Sequence, residues 1–339
     1  MLGKAKKTKK DKKEAGKSIT DVVGIEVGVD LDYGTPLVRM RRSTDGTFEI
    51  LAAGFLHRAT LLPERASSES VGGGVLVLPK LFHATAAAFA ITSPDVVVRQ
   101  CGRVDDALED KEKGSYRAGV FSEAGDGLSL VIGIPEYIGA WAAALLPEGK
   151  RPTACSIQVS RLACINAFAV SASFSATNGT ALLLLVDKRA TAIVVFHEYK
   201  MILYREHSIG SDDIGDALCR DMNLDRDTVE KILADNLVDP TSALEPVLGP
   251  LFRQVELSTD YALRKNACFI EHFFLFGLTS GAQFWVQIFK SKTGGELVPC
   301  NPLEGFRWSD GAERPEGFDE ISSCFVPAVG AAVAVLGDA

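Results

Sequence analysis

Val22-Val23-Gly24-Ile25-Glu26-Val27-Gly28-Val29 is an apolar, β-branched run broken by a single acid, and it reads as a strand. Asp32-Tyr33-Gly34-Thr35-Pro36 supplies a turn, Leu37 to Met40 resumes the strand pattern, and Phe48 to Phe55 adds a third strand. The same grammar returns after Thr177-Asn178-Gly179-Thr180. Ala181 to Val186, Ala192 to Phe196 and Met201 to His207 follow one another, the last two joined by a tight turn around Glu198. Helical patterns follow each set of strands. Two similar α/β halves with a cleft between them are therefore expected, and such clefts are where ligands usually bind.

Other segments fill in this frame. In the first half, Ser67 to Gly74 is a Ser- and Gly-rich loop, and Pro79 to Phe89, rich in Ala and Phe, is expected to be a helix. Strands at Val96 to Val98, Leu128 to Ile134 and Ser156 to Val159 are separated by a charged excursion, Asp105 to Gly114, and by a helix from Glu136 to Leu145 that Pro147-Glu148-Gly149 closes. Ser160 is placed to cap a helix from Arg161 to about Val170. In the second half, helices are expected at Ser211 to Met222, at Thr228 to Leu237 behind an Asp225 cap, and from about Val247 to Lys265. Phe269 to Gly277 and Glu296 to Pro299 read as strands. Phe284 to Ser291 and Phe325 to Leu336 read as helices, the last ending at Gly337.

Composition bounds the function. The chain has 339 residues, 47% of them apolar, which is enough to fill two cores. No apolar run reaches the roughly 18–20 residues that span a bilayer. The first twenty residues carry eight lysines against Asp11 and Glu14, leaving a strongly acidic remainder in a chain of net charge −8. That opening lacks the apolar core of a signal peptide, so a cytosolic protein is expected. The lysine-rich tail has two readings: a solvated, disordered leader, or an attachment to the anionic inner leaflet of a membrane. An acidic body disfavours nucleic-acid binding by the folded domains. Seven scattered cysteines without C-x-x-C spacing and five histidines without H-x-x-x-H spacing point to neither a disulfide framework nor a metal site.

Several segments, in order, resemble the PilM family of type IV pilus assembly, relatives of the cell-division protein FtsA within the actin fold. They are Gly24-Ile25-Glu26-Val27-Gly28, the stretch Leu130 to Phe168 with Ser156-Ile157-Gln158-Val159, and Leu184-Leu185-Val186-Asp187 with Tyr204-Arg205-Glu206-His207-Ser208-Ile209-Gly210 downstream. Ser258-Thr259-Asp260-Tyr261, Asn301-Pro302-Leu303-Glu304-Gly305-Phe306 and Pro327-Ala328-Val329-Gly330-Ala331-Ala332 complete the series. The resemblance implies a two-domain actin-like (RNase H-like) α/β fold with a central cleft. After a basic tail at 1–20, the first domain would occupy 21–178, completed by a C-terminal segment from about 307 to 339, and the second 179–306. Only about 25 residues separate the strands that flank the family's inserted subdomain, so the insert is expected to be reduced or absent.

The resemblance also implies a nucleotide site, and here the chain departs from the pattern. Actin-like ATPases hold phosphates on two turns of the form Asp-x-Gly followed by small hydroxyl residues, with the acids holding Mg²⁺ through water. The first turn keeps Glu26 and Gly28 but follows them with Val29, Asp30, Leu31 and Asp32. In the second turn Asp187 survives, yet Lys188 or Arg189 stands where a glycine is expected. The adenine-side loop reads Phe276-Gly277-Leu278-Thr279-Ser280-Gly281 and keeps only Gly277 in register. Glu26, Gly28, Asp187 and Gly277 are thus read as a remnant nucleotide cleft, with no catalytic residue assigned and no cofactor expected, ATP and Mg²⁺ being disfavoured. The implied role is a cytosolic scaffold, peripheral on the inner membrane, that docks the cytoplasmic N-terminus of a PilN-like bitopic pilus protein. An active ATPase of the same family and an actin-fold small-molecule kinase are the alternatives.

Overall fold

A computed structural model describes residues 19–28, 31, 34–56, 75–111, 114–123, 128–146, 151–235, 239–278 and 281–337. The lysine-rich tail, the Ser67 to Gly74 loop, the Pro147-Glu148-Gly149 turn and most of the turn after Gly28 lie outside these residues. In the first half, β1 (Asp21–Gly28), β2 (Thr35–Arg42) and β3 (Phe48–Leu56) form consecutive antiparallel pairs. β4 (Ala86–Thr92) and β8 (Thr153–Val159) add parallel strands on the other side of β1. The second half repeats the plan with β9 (Ala181–Val186), β10 (Thr191–His197) and β11 (Lys200–His207) antiparallel, and β12 (Phe273–Phe276) and β13 (Leu297–Pro299) parallel. The strand orders β3-β2-β1-β4-β8 and β11-β10-β9-β12-β13 are the same topology written twice.

The segment Pro79 to Phe89 is not a helix. One 3-10 turn at Lys80–Phe82 precedes β4, which lies between β1 and β8. Alanine favours helices in isolation, but here alternate residues face two different layers. Ala86, Ala88 and Ala90 face the C-terminal helix α7 (Val326–Gly337), while Ala87, Phe89 and Ile91 pack with Ile138 and Trp141 of α1 (Glu136–Ala144). Burial on both faces at period two overrides propensity.

Between β4 and β8 in the chain, β5 (Val97–Cys101), β6 (Tyr116–Glu123) and β7 (Ser129–Pro135) form a separate small antiparallel sheet in the order β5-β7-β6. The excursion after Val104 thus includes one helical turn, Val104–Ala107, and the strand β6 was not expected. The insert is reduced but folded.

α2 (Ser160–Ala169) connects the halves. Phe168 near its end and Phe174 just beyond it pack tilted against Phe196 of β10, and Phe168 meets Phe274 of β12 edge-on, at ring separations of 4.8–5.8 Å. The second sheet's other face is covered by α3 (Ser211–Met222), α4 (Arg226–Asp235), α5 (Thr241–Asn266) and α6 (Ala282–Thr293). α5 begins earlier than expected and contains Pro246 and Pro250, its Leu244, Leu248, Leu251, Phe252 and Val255 stripe holding it on the sheet.

Residues 307–337 return to the first sheet. β14 (Arg307–Glu313), absent from the sequence-based reading, lies beside β3, and α7 crosses β1 and α2. The segment Phe318–Gly337 is long and apolar enough to cross a membrane by length and composition, which the sequence-based reading did not anticipate, but it is mostly buried here. Its crossing is backbone on backbone. A Cβ at Gly24 would stand 1.8 Å from Ala328 O, and one at Gly330 would stand 1.7 Å from Ala163 O. Gly24→Ala and Gly330→Ala should each lower the unfolding free energy by about 2–3 kcal/mol in urea titrations. Gly139→Ala, in α1 with nothing near its Cβ, should instead be neutral or stabilising.

Candidate functional site

The end of β1 and the turn after β9 face each other across a cleft of about 870 Å³, lined also by β5, the start of α2 and the outer side of β11. Glu26 is the third residue from the end of β1, and its carboxylate accepts a hydrogen bond from the Thr92 hydroxyl of β4 at 3.0 Å. It is buried, 7% exposed. Burial raises its pKa to about 7; the Thr92 bond opposes that shift and the nearby Asp187 charge adds to it. Ser160, the first residue of α2, does not cap the helix. Its Oγ is buried beside Glu26, pulling weakly against the shift without making a hydrogen bond of ordinary geometry.

Asp187 follows β9 and makes the local contacts of a turn. Its Oδ1 accepts the Lys188 N–H at 2.7 Å, its own N–H goes to Ala190 O, and its carbonyl accepts the Ser211 N–H. The turn is pressed from behind by glycines: a Cβ at Gly210 would lie 2.2 Å from Lys188 O, and one at Gly277 would lie 2.0 Å from Val186 O. Gly277, at φ +103°, is therefore required by the close approach of β12 to the end of β9. Gly28 has the same role in the first half, where a Cβ would meet Thr92 O at 2.2 Å. Among the described residues, those lining the cleft include Glu26 and Asp187 but neither Gly28 nor Gly277. Thr279 and Ser280 lie outside the described residues.

The sequence-based reading passed over the side chain at the centre. Arg161, in the first turn of α2, reaches across the cleft to Glu206 of β11, Nη1 to Oε1 at 2.6 Å, with Nε 4.0 Å from Asp187. Burial works against its charge, but Tyr204, Glu206 and Asp187 together more than offset that and hold the guanidinium protonated. Tyr204 donates to Glu206 at 3.3 Å, and burial pushes its phenol well above the usual range. A signal for Arg161 exists in the sequence: a cation in the first turn of a helix sits at the electrostatically unfavourable end and needs an acid nearby. Among the described residues no cluster of three His, Cys, Asp or Glu side chains is arranged to hold a metal ion.

No protein-family model and no curated protein sequence matches this chain. Among solved structures, a PilM–PilN type IV pilus biogenesis complex matches with 16% identity and a TM-score of 0.65, over 93% of this chain and 98% of that one. The ethanolamine utilization protein EutJ from Carboxydothermus hydrogenoformans matches at 11% identity and TM-score 0.44, over 92% and 89%. An archaeal actin homologue matches at 13% and 0.40, over 94% and 99%. The fold is the two-domain actin-like α/β fold, and the resemblance to the PilM family that the motifs carry holds for the fold along nearly the whole chain.

The raised pKa of Glu26 has a thermodynamic consequence. The unfolded chain releases this proton near pH 4.5 and the folded protein near pH 7. The native state thus binds the extra proton between these values, and stability falls as pH rises through that window, by roughly 3 kcal/mol for this group. Glu26→Gln should match the wild type at pH 4 and exceed it at pH 8 when unfolding is followed across the range.

Proposed function

We propose that this chain is a scaffold of a type IV pilus inner-membrane assembly complex, that it docks the cytoplasmic N-terminus of a PilN-like bitopic protein, and that its nucleotide cleft is degenerate. The observation that carries the reading is the full-length match in fold to the PilM–PilN complex. The cleft supports it. Where an actin-like ATPase needs open backbone N–H groups for phosphate, this chain places the Arg161 guanidinium between Glu206 and Asp187 and turns the Asp187 carboxylate onto its own backbone. A bound triphosphate would have to displace that pair. In this reading the protein is cytoplasmic and peripheral on the inner membrane, with the basic stretch 1–20 facing anionic lipid.

The small sheet offers a place for a peptide. β6 is an edge strand whose Ala118, Gly119 and Val120 are exposed, and an extended peptide can add to such an edge through main-chain hydrogen bonds, its side chains filling neighbouring pockets. A fluorescent peptide copied from the cytoplasmic end of the bitopic pilus protein encoded nearby should bind with Kd below about 100 µM, roughly −5.5 kcal/mol. Val120→Glu should weaken it about tenfold or more while the protein stays folded. No binding by any such peptide would remove the docking role. In the same preparation, millimolar Mg-ATP should leave the melting temperature unchanged. A ligand at one hundred times its Kd adds roughly 2.7 kcal/mol of stability, so a clear upward shift would establish nucleotide binding and favour the active ATPase.

The tail is tested separately. At low ionic strength the intact protein should co-sediment with anionic vesicles, a version starting at Lys17 should not, and salt should abolish the difference by screening. Equal sedimentation of the two would reduce the tail to a solubility leader.

A further inference from the structure

We infer that Gln100 is a clasp that joins the small sheet to the outer edge of the five-stranded sheet, and that with Arg161 it holds the cleft closed without a bound ligand. β11 is the outermost strand of its sheet, so alternate residues present backbone N–H and C=O groups away from β10. Ile202 and Tyr204 are such residues. The side chain of Gln100, on β5 of the first half, meets both: its Oε1 accepts the Tyr204 N–H at 3.0 Å and its Nε2 donates to Ile202 O at 3.4 Å. A primary amide offers one acceptor and two donors in a plane. It thereby does for this edge what one peptide unit of a neighbouring strand would do, across more than a hundred residues of sequence.

The second tie sits beside the first. Glu206 is two residues beyond Tyr204 on β11, and it receives Arg161 from α2 of the first half. The Tyr204 hydroxyl, bonded to Glu206, links the two. Gln100, Arg161, Tyr204 and Glu206 all line the cleft. To open it, the halves must part along β11, which breaks the amide pair and the ion pair together and leaves a partly buried Arg161 without its acid. On this inference the two internal ties, and not a bound ligand, hold the halves together across the cleft. The inference does not depend on peptide docking by the small sheet, because none of the four side chains lies on β6.

The test is native-state hydrogen exchange of the full chain, read residue by residue, with X-ray scattering in parallel. In Gln100→Ala the Tyr204 amide should exchange about tenfold faster, as expected for loss of one protecting bond. The Leu203 and Arg205 amides, directed at β10, should be unchanged. Gln100→Glu keeps an acceptor for Tyr204 and removes the donor to Ile202, so it should protect the Tyr204 amide more than alanine does. The double variant Gln100→Ala/Arg161→Ala should show a larger radius of gyration than the wild type, with exchange in the core strand β9 unaltered. Equal protection of Tyr204 in wild type and Gln100→Ala would overturn the clasp. Should the alanine variant fail to fold, equal protection of the Tyr204 amide in wild type and Gln100→Leu, which fills the same space but lacks both the acceptor and the donor, would overturn it as well. A double variant whose scattering superimposes on the wild type would overturn constitutive closure.

Discussion

The contact of the C-terminal helix with β1 and α2 through bare backbone is the constraint from which the rest follows. At Gly24 and Gly330 no Cβ can stand between the chains, so the helix is seated at the closest approach that two main chains allow. Its residues Ala328, Ala331 and Ala332 are small and fully buried for the same reason. α2 is gripped on one side by this helix and on the other by the second sheet, through the Phe168, Phe174, Phe196 and Phe274 rings. A helix gripped on both sides cannot shift along its axis without opening a cavity. The position of its first turn, and with it Arg161, is therefore fixed by packing some distance from the cleft.

What could be read from the sequence is what local pattern decides. The two hairpins are legible because short, continuous apolar runs bounded by turn residues, Thr177-Asn178-Gly179-Thr180 and Glu198 among them, specify strands without reference to neighbours. The Asp225 cap is legible too, and the Thr228 N–H does bond to its carboxylate at 3.0 Å. β4 was not, because Ala86 to Ala90 has helical propensity and becomes a strand only through burial between β1 and β8. β14 was hidden for a related reason: Arg307 to Glu313 is largely exposed, pairs irregularly with β3, and is held by Trp308, with Arg314 over one face at 3.9 Å and Phe318 edge-on.

The site divides along the same line. Glu26 and Asp187 were legible as turn acids of a recognisable pattern, and the structure brings both to one cleft. Gly28 and Gly277 were singled out as ligand-facing, yet each answers to a backbone approach behind its turn. Arg161, Glu206 and Gln100 were not legible as a group, since no spacing rule connects positions 100, 161 and 206. They meet only because the small sheet and α2 both reach β11.

The persistence of acids in such a cleft does not by itself require a metal or a phosphate. Arg161 is disfavoured at a helix N-terminus and by burial, and it is retained there by Glu206 and Asp187. Conversely, removing Arg161 would take away the guanidinium that stands between those two carboxylates, close to a Glu26 that already resists ionisation. Breaking one member of a buried charged set is more destabilising than never having built it. On the proposed reading, once an arginine had entered between the turns, the acids would be held in place by the arginine. The cleft would then keep the outline of a nucleotide site through internal charge balance, while the two halves it joins remain a rigid frame on which a partner can dock.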